Sequence, residues 1–239
     1  MALRITHRSI VMIEKRLINR RQAGAFGSDF SNCILPRTAC IHSTSNRVMT
    51  TDDLLDLFRK SGALLEGHFR LTSGLHSTGY LQSALILQHP AHAEALGRAI
   101  AERVADLTAT VVLSPALGGI VIGHEVARAL GVRAVFAERQ DGALMLRRGF
   151  ILAETDRVLV VEDVLTTGGS TRETMQVASA AGGRVIGAAS IVDRSGGAAT
   201  LTVPFHSLVS VTLPTFEPDK CPQCAQGLPV VKPGSRPVA

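Results

Sequence analysis

The chain has no tryptophan, a single tyrosine (Tyr80) and an aromatic content of only 4% over 239 residues. So few aromatic rings disfavour a site that stacks a ligand base on a large aromatic face. Lysine is almost as scarce, with only Lys15, Lys60, Lys220 and Lys232. Cationic work falls to arginine, which stays charged at any relevant pH and is a poor proton donor. Cysteine is missing between Cys40 and Cys221. No secretory leader with an apolar core and a small-residue cleavage site is present, which makes a reducing cytoplasm the default location. No apolar run reaches the roughly 18–20 residues of a membrane span, so no membrane partner is expected. The net charge of +5 is concentrated at one end. Residues 1–48 hold eight Arg/Lys against Glu14 and Asp29, a balance of +6, which leaves −1 for the other 191 residues. A body without excess positive charge argues against a broad nucleic-acid surface.

What is present is a hydrophobic fraction of 46% and a mean hydropathy of +0.23, enough to bury a sizeable core in one large or two small domains. Residues 1–48 are Arg-rich, acid-poor and without convincing periodicity. They read as a disordered basic tail, a transit-like segment, or sequence upstream of a chain that starts at Met49. From Thr51 the pattern becomes regular. Thr51-Asp52-Asp53 supplies an N-cap and first-turn acids for a helix striped by Leu54, Leu55, Leu57 and Phe58. The Gly-punctuated segment from Gly67 to Leu81 alternates as a hairpin does, and is either a surface element or a hydroxyl-rich loop facing a ligand.

Residues 91–107 have helical spacing, and Thr110–Leu113 is a short strand running into Ser114-Pro115-Ala116-Leu117-Gly118-Gly119 and a helix over 120–130. Val132–Ala137 is a strand ending in Glu138-Arg139. The turn at Gln140-Asp141-Gly142 leads to Arg147 and Arg148 and predicts a hairpin or flap, its arginines either solvated or clamping a polyphosphate. Val185–Val192 is a further strand leaving through Asp193-Arg194-Ser195-Gly196-Gly197, and Ser207–Leu213 is the last.

The densest signal is Val158–Ser170. An apolar β-branched run ends in Glu162 and Asp163, and Thr166-Thr167-Gly168-Gly169-Ser170 follows before a helix stopped by Gly182-Gly183. A Gly/Thr/Ser loop at a helix N-terminus presents free amides and a favourable dipole to a phosphate. Carboxylates beside such a loop repel an anion unless they address hydroxyls or a bound cation, so the ligand should carry sugar, phosphate and Mg2+. Short strands alternating with helices imply a parallel α/β sheet covered on both faces, with ligands at the carboxyl ends of its strands. The polar exits at 114–119, 138–139, 162–170 and 193–197 would share that edge.

The run Val160-Val161-Glu162-Asp163-Val164-Leu165-Thr166-Thr167-Gly168-Gly169-Ser170 resembles the phosphoribosyl-pyrophosphate loop of the type I phosphoribosyltransferases. Leu71-Thr72-Ser73-Gly74, Phe136-Ala137-Glu138-Arg139 with Leu146-Arg147-Arg148-Gly149-Phe150, and Asp193-Arg194-Ser195-Gly196-Gly197 make it most similar to the orotate-using members. The resemblance covers about 52–235. It implies one domain over 49–239, with a core near 91–213, a small hood from about 51–90 and 214–235, and a mobile flap.

The resemblance also implies a reaction: transfer of the phosphoribosyl group to orotate, giving orotidine 5-phosphate and pyrophosphate for pyrimidine synthesis. Glu162 and Asp163 would hold the ribose hydroxyls, and Glu162, Asp163, Val164, Leu165, Thr166, Thr167, Gly168, Gly169 and Ser170 would form the phosphoribosyl-pyrophosphate site. Ala116–Gly119 would line the pyrophosphate path, and Thr166 and Arg194 would face orotate. Mg2+ would be held mainly through the substrate, with no direct protein ligand, and the chain would be a homodimer whose flap serves either its own or the neighbouring site. Here the sequence departs from the family: the usual flap lysine and histidine and the hairpin lysine are missing, Thr72 standing in the hairpin. Arg139 is then the leading flap cation for both binding and catalysis.

Two rivals remain at this level. One is a transferase for another base, disfavoured because no aromatic residue lies near 193–197. The other is a non-catalytic regulator binding the same ligand, which would lose nucleic-acid binding on deletion of 1–48 while an enzyme would keep its turnover. Cys221-x-x-Cys224 is a single dithiol. It reads as a reduced pair, as a redox switch, or as half of a zinc site completed by His206, the N-terminal cysteines or another subunit.

Overall fold

A computed structural model describes residues 50–71 and 73–232, all within one compact unit. The expectations for 1–48, for Thr72 and for the hood beyond 232 fall outside the described residues.

The first helix, α1 (Thr51–Lys60), is capped by Thr50 rather than Thr51: the Thr50 hydroxyl and the Asp53 carboxylate close a reciprocal capping box. Its apolar stripe buries Leu54 and Phe58 to 1% exposure. The hairpin forms as expected from β1 (Leu64–Arg70) and β2 (His76–Leu81), which pair antiparallel. A late two-residue strand, Thr215–Phe216, adds to β2. Further along, the Val231 N–H donates to the His68 carbonyl and the Arg70 N–H to the Val231 carbonyl, both at 2.8 Å. The hood is thus a small sheet joining residues near both ends of the described chain.

The core sheet contains β3 (Val111–Pro115), β4 (Arg133–Gln140), β5 (Ala143–Leu146), β6 (Arg157–Leu165), β7 (Arg184–Asp193) and β8 (Phe205–Ser210). Their order is β5-β4-β3-β6-β7-β8, parallel throughout except for the β4–β5 hairpin. The last core strand ends at Ser210, short of the expected Leu213, because the chain departs there for the hood. Strand residues alternate between faces. Val112, Leu159 and Val161 pack with the helices α3 (Pro90–Arg103) and α4 (Gly118–Leu130), after the short α2 (Ala84–Leu87). Val111, Leu113, Val158 and Val160 face the other layer with Met175 and Ala178 of α5 (Gly169–Ala180). Both faces are covered, which explains why these strands read as unbroken apolar runs.

Chain order turns from β3 towards β4 on one side and towards β6 on the other. The switch point therefore lies between the carboxyl ends of β3 and β6, where a doubly covered sheet opens a crevice.

Candidate active site

Strand β6 runs four residues further than its apolar run Val158–Val161, to Leu165. Glu162 and Asp163 thus lie within the strand and not in the loop after it. Consecutive strand residues point to opposite faces, and the two carboxylates do so here. Glu162 turns towards α5, where it is 8% exposed and accepts hydrogen bonds from the Ser170 and Thr171 hydroxyls. Asp163 turns towards α2 and α4 and accepts from the Ser83 hydroxyl. Gly118, at the start of α4, lies so close that a Cβ there would sit 2.8 Å from the Asp163 carboxylate oxygens. Glycine is what lets this helix N-terminus approach the acid.

Burial pushes the Glu162 carboxyl above its ordinary range, opposed by the two hydroxyl donors and reinforced by the neighbouring Asp163 charge. A raised folded-state pKa favours folding below the unfolded value, and that contribution disappears as pH rises through the folded value. Glu162→Gln removes this dependence. Its melting temperature relative to wild type should therefore be more favourable at pH 8 than at pH 5, and thermal unfolding at both pH values checks the sign.

After Leu165 the chain makes a short turn through Thr166 and Thr167, with Gly168 at φ +74° as the residue before α5. First-turn amides of α5 have no upstream helical carbonyl to bond, so they point into the turn as free donors. Of the predicted loop residues, Val164, Thr166 and Thr167 line a cleft of about 800 Å3. Leu165 is 1% exposed and belongs to the core. It serves through its carbonyl, which receives the Arg194 N–H at 2.7 Å.

The same cleft is walled by Arg194 and Ser195 from the exit of β7, by Ser73, Leu75 and Tyr80 from the hairpin, and by Asp163. Arg194 is half-buried, its Nε has no hydrogen-bond partner, and burial lowers its pKa. A desolvated guanidinium edge without a partner is an incomplete anion site.

A second, smaller pocket of about 90 Å3 lies on the other side of Asp163. Its walls are Pro115, Ala116, Gly118 and Gly119, with Arg139, Glu162 and Ser170. The Ala116–Leu117 peptide is cis, and Leu117 is 84% exposed.

Arg139 was expected in a polar exit, but β4 continues through it and pairs it with Leu144. The hairpin turns at Asp141-Gly142, both with positive φ, the two-residue turn that matches strand twist. The Arg139 guanidinium is held bidentately by Glu173 at 2.6 and 3.1 Å, and Glu173 also accepts from the Leu144 N–H at 2.9 Å. These donors lower the Glu173 pKa, Arg139 first. Arg148 pairs with Glu138 at 2.6 and 2.8 Å and sits over the Phe136 ring, so two of the three flap arginines are tied to carboxylates.

Sequence reading missed Ser83, Thr171 and Glu173. The last two lie on α5 at positions i and i+2, immediately after the recognised loop, and that spacing was available. Ser83 lies 80 residues from Asp163, and no local pattern announces it.

Comparison with known proteins agrees with this geometry. Residues 82–209 match the phosphoribosyl transferase domain family. An orotate phosphoribosyltransferase from Pelotomaculum thermopropionicum is 54% identical over 188 residues, 79% of this chain and 99% of that protein. One from Heliobacterium modesticaldum is 52% identical over 190 residues, 79% of this chain and 100% of that protein. Among solved structures, Mycobacterium tuberculosis H37Rv orotate phosphoribosyltransferase in complex with 5-phospho-α-D-ribosyl 1-diphosphate superposes with a TM-score of 0.53 at 27% identity, covering 66% of this chain and 94% of the other.

Proposed function

The chain belongs to the orotate phosphoribosyltransferases, and from that premise we infer how its own residues carry the reaction. It transfers the 5-phosphoribosyl group of phosphoribosyl pyrophosphate to orotate, releasing pyrophosphate, in pyrimidine synthesis. The observation that carries our assignment of roles is the place of Asp163, on the wall shared by the large cleft and the small pocket.

In this reading the ribose sits at Asp163, with the 5-phosphate in the amide cradle of Thr166–Ser170. Orotate occupies the cleft towards Arg194 and Thr166, where the free Nε meets a planar anion. Pyrophosphate leaves past Ala116–Gly119 and Arg139. As the glycosidic bond lengthens, positive charge grows on the ribosyl ring, and the Asp163 carboxylate faces that charge from a site that is already organised. Glu162 keeps free lone pairs beyond those used by Ser170 and Thr171, which leaves it able to accept a ribose hydroxyl. Arg139 neutralises the leaving group as a fixed cation rather than as a proton donor.

Mg2+ suits this donor set. Asp163 is the carboxylate shared by both cavities, and Mg2+ prefers one or two carboxylates with substrate phosphates and retained water. When bound it would supply charge neutralisation on the pyrophosphate oxygens. A homodimer is part of the same proposal. Leu117, Val121, Met145 and Ile151 are large apolar side chains left exposed, surface of the kind that a second copy covers. We place the protein in the cytoplasm, consistent with the free thiols of Cys221 and Cys224. No helix among the described residues is long and apolar enough to cross a membrane.

The direct test follows orotate's near-ultraviolet absorbance with phosphoribosyl pyrophosphate and Mg2+. Orotate should be consumed only when both are present. Turnover of a purine base with none of orotate would overturn the base assignment.

A further inference from the structure

Outside the cleft, four side chains from three distant stretches converge in the hood. His68 comes from β1 and His76 from the start of β2, while Cys221 precedes the short helix α6 (Pro222–Ala225) and Cys224 lies within it. One ligand atom from each lies within 4.8 Å of all the others. His68 Nε2 is 2.9 Å from His76 Nδ1, 3.4 Å from Cys221 Sγ and 3.6 Å from Cys224 Sγ, and Cys224 Sγ is 3.2 Å from His76 Nδ1. Zinc bonds of about 2.3 Å to sulfur and 2.0–2.1 Å to nitrogen, at tetrahedral angles, require ligand atoms roughly 3.3–3.8 Å apart. The two spacings from His68 to sulfur fall in that range, and the other two, at 2.9 and 3.2 Å, are slightly shorter.

We propose that His68, His76, Cys221 and Cys224 bind one Zn2+ in a closed tetrahedral site that fastens the C-terminal segment to the hood hairpin.

The hydrogen bonds around the cluster favour this over a plain reduced pair. His68 Nδ1 lies 2.9 Å from the Leu228 carbonyl, which can only accept, so Nδ1 carries the proton and Nε2 presents a lone pair. That lone pair can take one hydrogen, yet three polar groups crowd it. A cation satisfies all of them at once, and the carbonyl on the far nitrogen is the usual outer partner of a zinc-bound imidazole. Two thiolates and two neutral imidazoles bring Zn2+ to zero net charge, as a buried site requires. Four protein ligands leave no open coordination position, which marks the metal as structural, and of the four only Cys224 is exposed. In this proposal the two hairpin histidines take the place that the sequence left to His206, the N-terminal cysteines or another subunit. The consequence reaches the cleft indirectly, because the hairpin carries Ser73, Leu75 and Tyr80 in its wall.

The test is elemental analysis of the full-length protein, expressed with zinc and purified without chelator. About one zinc per chain is expected. It should be retained in the Cys33→Ser/Cys40→Ser double variant and lost in Cys224→Ser. Should Cys224→Ser fail to fold, cobalt exchange into the wild-type chain gives an independent reading. Intense tetrahedral d–d bands with thiolate-to-cobalt charge transfer support the site, and a weak octahedral spectrum without sulfur bands overturns it. A metal-free native protein, a Cys221–Cys224 disulfide in mass spectra, or zinc that persists in Cys224→Ser would each overturn it too. None of these readouts depends on turnover, so the activity assignment stands or falls separately.

Discussion

Asp163→Asn should lower kcat by about 10²–10³-fold, the usual loss when one preorganised electrostatic partner of a transition state is removed. The melting temperature should stay near that of wild type. Asparagine keeps the shape of the side chain and an oxygen to accept from Ser83. It also removes the like charge that helps raise the Glu162 pKa, which if anything relieves the fold. Steady-state kinetics and thermal unfolding on the same preparation separate the two effects. Equal losses of turnover and stability would mean that the carboxylate is a structural group.

Arg194→Ala should raise KM for orotate by roughly 10–150-fold, corresponding to about 1.5–3 kcal/mol for hydrogen bonds to a charged group. KM for phosphoribosyl pyrophosphate should change little, because Arg194 lies on the side of the cleft assigned to orotate and does not line the small pocket assigned to pyrophosphate. The fold should tolerate the change. The residue's structural bond is its backbone N–H to the Leu165 carbonyl, which alanine keeps, and its Nε has no partner to orphan. Arg194→Lys should recover only part of the affinity, since an ammonium cannot form the two-pronged contact. If both Michaelis constants rise together, Arg194 does not read the base.

Much of the core was legible because its strands are buried on both faces. A parallel strand such as Val158–Val161 needs apolar residues at every position, and such a run, ended by polar residues, announces itself without reference to the rest of the chain. The turn from Thr166 to Gly168 before α5 was legible because its hydroxyls and glycines are consecutive. What escaped were contacts whose partners are far apart in sequence. Asp163 with Ser83 spans 80 residues, Arg139 with Glu173 34, and His68 with Cys221 153. Alternation could have shown that Glu162 and Asp163 face opposite ways, but only once β6 was known to extend through them. The end of a strand is set by its pairing, here Leu165 with Asp193, and pairing is not written in either segment alone.

The hood also fixes an order of assembly on the ribosome. Every strand of the large sheet lies between Val111 and Ser210 and can pair as soon as those residues emerge. The β1–β2 hairpin is made earlier still, but a two-stranded ribbon is at best marginally stable in water. It must wait for Thr215–Phe216 and then for Val231 before its edges are paired. The hairpin wall of the large cleft is therefore among the first parts of the described chain to be synthesised and the last to be completed. A nascent chain stalled near residue 210 would own the whole Thr166–Ser170 turn and lack the Thr215 edge of the cleft.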